Sequence, residues 1–121
     1  MAFLIDTCTL IWLSGPQGKI PLSVRAQLAR EEVNVSEISR VELVLKESKH
    51  GSFGVDFDAL IAEAGFQSAP FPVGAHRMLE AMPYHHKDPF DRMLIAHALS
   101  ENWTLVTPDE KIRKYDVPTF W

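Results

Sequence analysis

The chain has a single cysteine, no long hydrophobic run and no excess of positive charge. Each shortage removes a class of protein. Cys8 alone cannot close an internal disulfide or supply a multi-cysteine zinc site, which fits a reducing cytoplasm. No stretch approaches the roughly 18 uncharged apolar residues of a membrane span, so no membrane partner is expected. From Met1 the chain enters a short apolar run stopped by Asp6, with neither a basic leader nor a cleavage site, so secretion is not expected. Internal repeats, linkers and low-complexity segments are also missing. Twelve Lys and Arg stand against 16 Asp and Glu, a net charge of −4. A nucleic-acid partner would be repelled by that overall field, so attraction must come from local cations or bound metal ions.

What is present suits one ordinary globular domain over residues 1–121. The hydrophobic share is 46% and the charged share 23%, and the length is enough to bury one core. Ala2-Phe3-Leu4-Ile5 has the continuous apolar pattern of a strand buried on both faces. Asp6 ends it, and a short helix can begin at Thr7. Asp6 is therefore either a helix cap or an acid at the functional edge of a sheet, and the residue alone does not choose. Ser14 to Gly18 is a loop. Pro21 to Glu32 makes an amphipathic helix with Leu22, Val24, Leu28 and Ala29 expected inside. Val33-Asn34-Val35 is a minimal strand, and Ser36 caps a helix to about Lys49. On that helix Ile38, Val41, Leu45 and Ser48 share the side expected to face inward. Ser39, Glu42, Lys46 and Lys49 share another, so periodicity alone makes Glu42 an exposed partner of Lys46 worth a few tenths of a kcal/mol.

Asp56 caps a helix ending at Gly65. Phe66 to Val73 holds a short strand that Pro70 and Pro72 make irregular or confine to an edge. Gly74 to Met82 is a short helix. The most organised stretch follows, from His86 to Leu99. Asp88 suits the N-cap, Pro89 the first helical position and Asp91 the third, while Leu94, Ile95, Ala98 and Leu99 recur at helical spacing. At that position Asp91 faces unpaired N–H groups and the helix dipole, worth about 0.3–1 kcal/mol if it does nothing else. Trp103 to Thr107 is another buried-type strand, and Asp109 follows it through Pro108. Lys111, Arg113 and Lys114 make the next turn basic, and Val117 to Trp121 closes as a short strand.

Strands alternating with helices predict a parallel sheet covered on both faces. In that architecture Asp6, Asp109, Asp91 and Glu42 lie toward one edge. Four converging carboxylates repel one another unless divalent cations sit between them, and oxygen ligands of this kind select Mg²⁺ or Mn²⁺ over zinc. Such ions can activate water and stabilise a leaving oxygen in phosphodiester hydrolysis.

Asp6-Thr7 after a strand, Val35-Ser36-x-x-Ser39-x-x-Glu42, Asp88-Pro89-Phe90-Asp91-Arg92-x-Leu94-Ile95-Ala96 and Leu105-Val106-Thr107-x-Asp109 together resemble the PIN-domain family. The likeness is greatest to the VapC-type toxin ribonucleases of bacterial VapBC toxin–antitoxin pairs and extends over essentially the whole chain. It implies a Rossmann-like α/β/α sandwich with a central, mostly parallel sheet. It also implies a Mg²⁺- or Mn²⁺-dependent endoribonuclease that hydrolyses RNA with a metal-activated water. The family's acidic quartet falls on Asp6, Glu42, Asp91 and Asp109, as catalytic and metal-holding residues. Thr107 matches a hydroxyl that orients water or metal, and Asp88 is a helix cap with a supporting place beside the site. Arg92 and Lys46, with Arg40, Lys49, Lys87 and Lys111, are candidates for contact with RNA phosphates. The resemblance further implies a homodimer in the cytoplasm and a cognate antitoxin whose C-terminal segment covers the acidic cleft.

Cys8 departs from the family, many of whose members carry histidine there, and is expected to be a small buried residue. His85 and His86 are expected as loop residues near the cleft, able to touch RNA phosphate. A zinc site from His86, Asp88 and His97 is disfavoured, because His97 lies too far along the helix to meet Asp88. Trp12, Trp103 and Trp121 are expected in the core or a subunit contact. A phosphoacceptor receiver domain would need a second acid at the first strand, an Asp ending a central strand and a later Lys-Pro, and these are missing. Two alternatives stay open: a PIN-type module that binds RNA or a partner without cutting, and a PIN nuclease of RNA processing outside toxin–antitoxin systems.

Overall fold

A computed structural model describes residues 1–15 and 18–121; Pro16 and Gln17 of the expected loop lie outside them. Five strands form one parallel sheet: β1 (Ala2–Ile5), β2 (Glu32–Ser36), β3 (Gln67–Ala69), β4 (Thr104–Val106) and β5 (Thr119–Phe120), in the order β3-β2-β1-β4-β5. β1 is central, with Leu4 opposite Asn34 on one side and Leu105 on the other. The direction of winding reverses between β1 and β4, the place where parallel α/β sheets open a crevice beyond their strand ends. Asp6 follows β1 and Thr107 follows β4 at that opening.

Alternation along the strands divides the core in two. Phe3 and Ile5 pack on one face with Leu10, Val24, Leu28, Leu43, Phe57, Ile61 and Val106. Leu4 points to the other, with Leu94, Ile95, Ala98, Leu105 and Ile112. The first face is covered by α1 (Thr7–Leu13), α2 (Leu22–Arg30), α3 (Glu37–His50) and α4 (Phe57–Ala64); the second receives α6 (Pro89–Glu101), against which α5 (Ala75–Ala81) packs. The result is the three-layered, parallel α/β/α arrangement expected. β3 lies at the sheet edge, as the prolines after it require. Trp12 and Trp121 meet edge-on at 6.1 Å beside the first core, and Trp103 packs on the second.

Local signals set the helix ends. Asp56 accepts the N–H of Ala59 to start α4, and Gly65 in the left-handed region stops it. Asp88 accepts the N–H groups of Phe90 and Asp91, Pro89 opens α6, and left-handed Asn102 ends it.

Three expectations about inward faces fail. α2 starts at Leu22, which is 84% exposed, and Ala29 is also exposed; only Val24 and Leu28, one turn apart, reach the core. Cys8 is exposed rather than buried, because Thr7, Thr9 and Leu10 occupy the inward positions of α1. α3 is rotated from its expected orientation. Val41, Val44 and Leu45 are 47%, 57% and 52% exposed, while Ser39, Glu42 and Leu43 are buried. The polar side turns inward because polar partners wait there: Ser39 Oγ lies 2.8 Å from Thr7 Oγ1 at the start of α1. A buried hydroxyl pair satisfied in this way removes most of the penalty of burying either group.

Candidate metal and phosphodiester site

β1 delivers Asp6 to the crevice already engaged. Its Oδ1 accepts the N–H of Thr9, 2.8 Å away, so capping α1 and facing the crevice are compatible roles. Burial raises the Asp6 carboxyl above its ordinary value; hydrogen bonds from Thr107 and Thr9 act against this, and the Asp109 charge adds to it. Thr107, fully buried after β4, also accepts the backbone N–H of Asp109 at 3.1 Å.

Asp91 lies in the first turn of α6, where Asp88 holds the helix start. Its carboxyl is pushed up to about 7, by burial first and then by the charges of Asp88 and Glu42, with His86 opposing and Asp6 adding. Those influences place Asp91 among the other acids. Glu42 reaches the same neighbourhood from α3. It is buried, and Oε2 meets Lys46 Nζ at 2.7 Å. The pair with Lys46 is therefore real, but only the lysine end is solvated. Glu42 Oε1 is buried with no hydrogen-bond partner among the described residues. An unpaired buried carboxylate oxygen carries a desolvation cost of several kcal/mol, the kind of cost a cation removes.

His86 joins the acids directly. Its Nε2 is 2.8 Å from Asp91 Oδ2 and 3.3 Å from Asp109 Oδ2. One donor atom from each of His86, Asp91 and Asp109 lies within 4.8 Å of the others, close enough to surround a metal ion. Asp109 Oδ1 accepts the N–H of Lys111 at 2.8 Å. From spacing alone His86 is a loop residue near the cleft, and its junction with two carboxylates is missed. The available signal was its position two residues before the cap of α6, where a ring can face the first helical turn.

Tyr115 is a second omission. Its hydroxyl oxygen accepts the backbone N–H groups of His85 and His86, each at 3.0 Å, and Arg92 Nη1 at 3.0 Å. Arg92 also donates to Pro83 O at 2.9 Å, and its guanidinium lies 3.9 Å from the Tyr84 ring centre. Arg92 is thus buried and committed to the loop that carries His86. Arg40 is likewise engaged, by Glu37 and Asp58. Lys49, Lys87 and Lys111 remain exposed. His97 is buried far along α6 against Ser36 and does not join Asp88. A cavity of about 520 Å³ lies between α5 and α6, around Arg92, Glu80 and Met93; none of the four acids lines it.

The donor set fits a hard divalent cation. Asp6, Glu42, Asp91 and Asp109 carry oxygen donors, though only Asp91 and Asp109, with His86, come within 4.8 Å of one another; Glu42 Oε2 is bonded to Lys46, and Glu42 Oε1 has no partner among the described residues. The sequence model of the PIN domain matches residues 3–118. The chain belongs to the PIN-domain family. Members of that family are generally nucleases and typically use divalent metal.

Solved structures with the same fold include VapBC2 from Rickettsia felis bound to a DNA fragment from its promoter. That chain is 15% identical, with 99% of this chain and 98% of the other covered and a TM-score of 0.70. FitAcB from Neisseria gonorrhoeae is 19% identical over 98% of this PIN domain and 96% of its own chain, with a TM-score of 0.69. DNA-bound VapBC from Salmonella typhimurium is 16% identical over 99% and 97%, with a TM-score of 0.65. Comparison with curated protein sequences gives no match. Among the described residues no helix is long and apolar enough to cross a membrane.

Proposed function

We propose that this PIN domain is a Mg²⁺- or Mn²⁺-dependent endoribonuclease, the toxin component of a type II toxin–antitoxin pair acting in the cytoplasm. The observation that carries the metal-dependent reading is Glu42: buried, unpaired at Oε1, and turned inward on a helix that leaves Val41, Val44 and Leu45 exposed. Asp6, Glu42, Asp91 and Asp109 hold the ion. A divalent ion so held supplies a water of lowered pKa and positive charge for the phosphate and the departing 3′ oxygen.

The chain's own residues do the positioning. Thr107 orients Asp109 and helps offset the effect of burial on Asp6, Asp88 fixes the helix turn that carries Asp91, and Lys46 balances one oxygen of Glu42. Lys49, Lys87 and Lys111 supply exposed positive charge for the RNA backbone, against the negative overall field.

An antitoxin and a second copy of the chain are the proposed protein partners. The exposed Val41, Val44 and Leu45 strip supports a protein contact, since contiguous apolar surface of this kind is what partners cover. The solved relatives named above are VapBC and FitAB complexes, which supports an antitoxin as one of them. The test is end-mapping of total RNA incubated with wild type and Asp91→Asn in Mg²⁺. New 5′ ends from wild type alone support the reading. Identical cleavage by both proteins, or none by either in Mg²⁺ or Mn²⁺, overturns it.

A further inference from the structure

His86 occupies the point that links Asp91 to Asp109. Its Nε2 faces Oδ2 of both, at 2.8 and 3.3 Å, and the residue is only 8% exposed. The other ring nitrogen, Nδ1, faces the backbone N–H of Asp88 at 3.3 Å. A backbone N–H can only donate, so Nδ1 accepts and the proton of the neutral ring is assigned to Nε2. A protonated Nε2 has no lone pair for a metal. In this arrangement His86 is a donor to the two carboxylates, not a ligand.

The backbone that carries the ring is held in place, while the ring itself can turn about its side-chain bonds. Tyr115 Oη accepts the backbone N–H groups of His86 and His85, and Arg92 donates to both that hydroxyl and Pro83 O. Meanwhile Lys111 N–H occupies Asp109 Oδ1. A cation bridging Oδ2 of Asp91 and Oδ2 of Asp109 would take the position that the His86 N–H now fills.

We propose that His86 is a built-in competitor for the metal: its imidazole N–H stands in for a cation between Asp91 and Asp109, and an ion enters only as the ring withdraws. This rests on the reading that Asp91 and Asp109 hold a divalent ion. His86 is then a positioning residue that sets metal affinity. It keeps the carboxylates ordered in the metal-free protein at the cost of weaker metal binding. Hydrogen bonds to charged groups have a net worth that converts to about tenfold or more in an equilibrium constant.

Calorimetric titration with Mn²⁺ alone tests it, on wild type, His86→Ala, His86→Gln and Asp91→Asn. His86→Ala should bind Mn²⁺ about tenfold more tightly than wild type, His86→Gln, which keeps an N–H donor, should lie between, and Asp91→Asn should bind weakly. Equal or weaker binding by His86→Ala, with Asp91→Asn still impaired, overturns the competitor role and leaves the metal-site reading standing. Absence of binding in wild type and His86→Ala alike overturns both. Wild type alone gives a second readout, independent of whether the variants fold. In imidazole ¹⁵N–¹H spectra recorded during Mg²⁺ titration, the His86 Nε2–H signal should move in step with occupancy. A signal unchanged at saturating Mg²⁺ also overturns the proposal.

Discussion

Ser36 Oγ lies 2.8 Å from His97 Nδ1 and also accepts the N–H of Ile38, tying the middle of α6 to the first turn of α3. Burial lowers the His97 pKa to about 4. The group is held neutral in the folded chain, while an unfolded histidine titrates near 6.5. The depressed value means its contribution to stability is full above about 6.5 and is lost as pH falls toward 4. His97→Gln should flatten the melting temperature over that window relative to wild type. Equal acid sensitivity in both proteins would show that another group governs it.

Asp91 works in the opposite direction. Its pKa is raised to about 7, so without metal its contribution is full below the unfolded value near 3.8 and is lost as pH rises through 7. At pH 8 with chelator, Asp91→Asn should melt higher than wild type, because one member of a repelling cluster is gone. Mg²⁺ should raise the wild-type Tm, since it binds the folded cluster and not the dispersed chain, and should raise the mutant's less. An equal Mg²⁺ shift in the two would remove Asp91 from the metal site.

Cleavage should respond to each acid in the quartet proposed to hold the ion. Asp6→Asn, Asp91→Asn and Asp109→Asn should each reduce RNA cleavage by more than the about 10–100-fold typical of groups that only orient a ligand. Near-native circular dichroism would exclude unfolding as the cause. A loss of less than tenfold at any one position would demote that residue to a supporting part.

Glu42 and Lys46 can be separated although they touch. Glu42→Gln should abolish cleavage, whereas Lys46→Ala should leave substantial activity, because the lysine balances one oxygen and the other is free for an ion. Near-wild-type cleavage by both variants would reduce the quartet to a trio.

Tyr115→Phe tests the loop around His86. It removes the acceptor for two backbone N–H groups and for Arg92, and leaves buried donors unpaired. The expected loss is about 1–3 kcal/mol of stability, measured by urea unfolding. A loss under about 0.5 kcal/mol would show that the hydroxyl does not hold the loop.

What the amino-acid sequence determined by itself is local. Asp88 and Pro89 are sufficient to start α6 at Pro89 and so to place Asp91 in its first turn, because capping depends on groups three residues apart. The apolar run ended by Asp6 likewise places that acid beyond β1, and the alternation of strands with helices was enough for a parallel sheet. Tertiary structure alone decided which way each helix faced. Periodicity put Val41 and Leu45 inside, but Ser39 meets Thr7 from 32 residues away, and Glu42 turns inward with it. His86 meets Asp109 across 23 residues, and Tyr115 sets the loop from 29 residues further along. A helical pattern records how many apolar residues share a side. It cannot record that the opposite side will find hydroxyls and carboxylates waiting, since those partners arrive only when the sheet brings distant strand ends together.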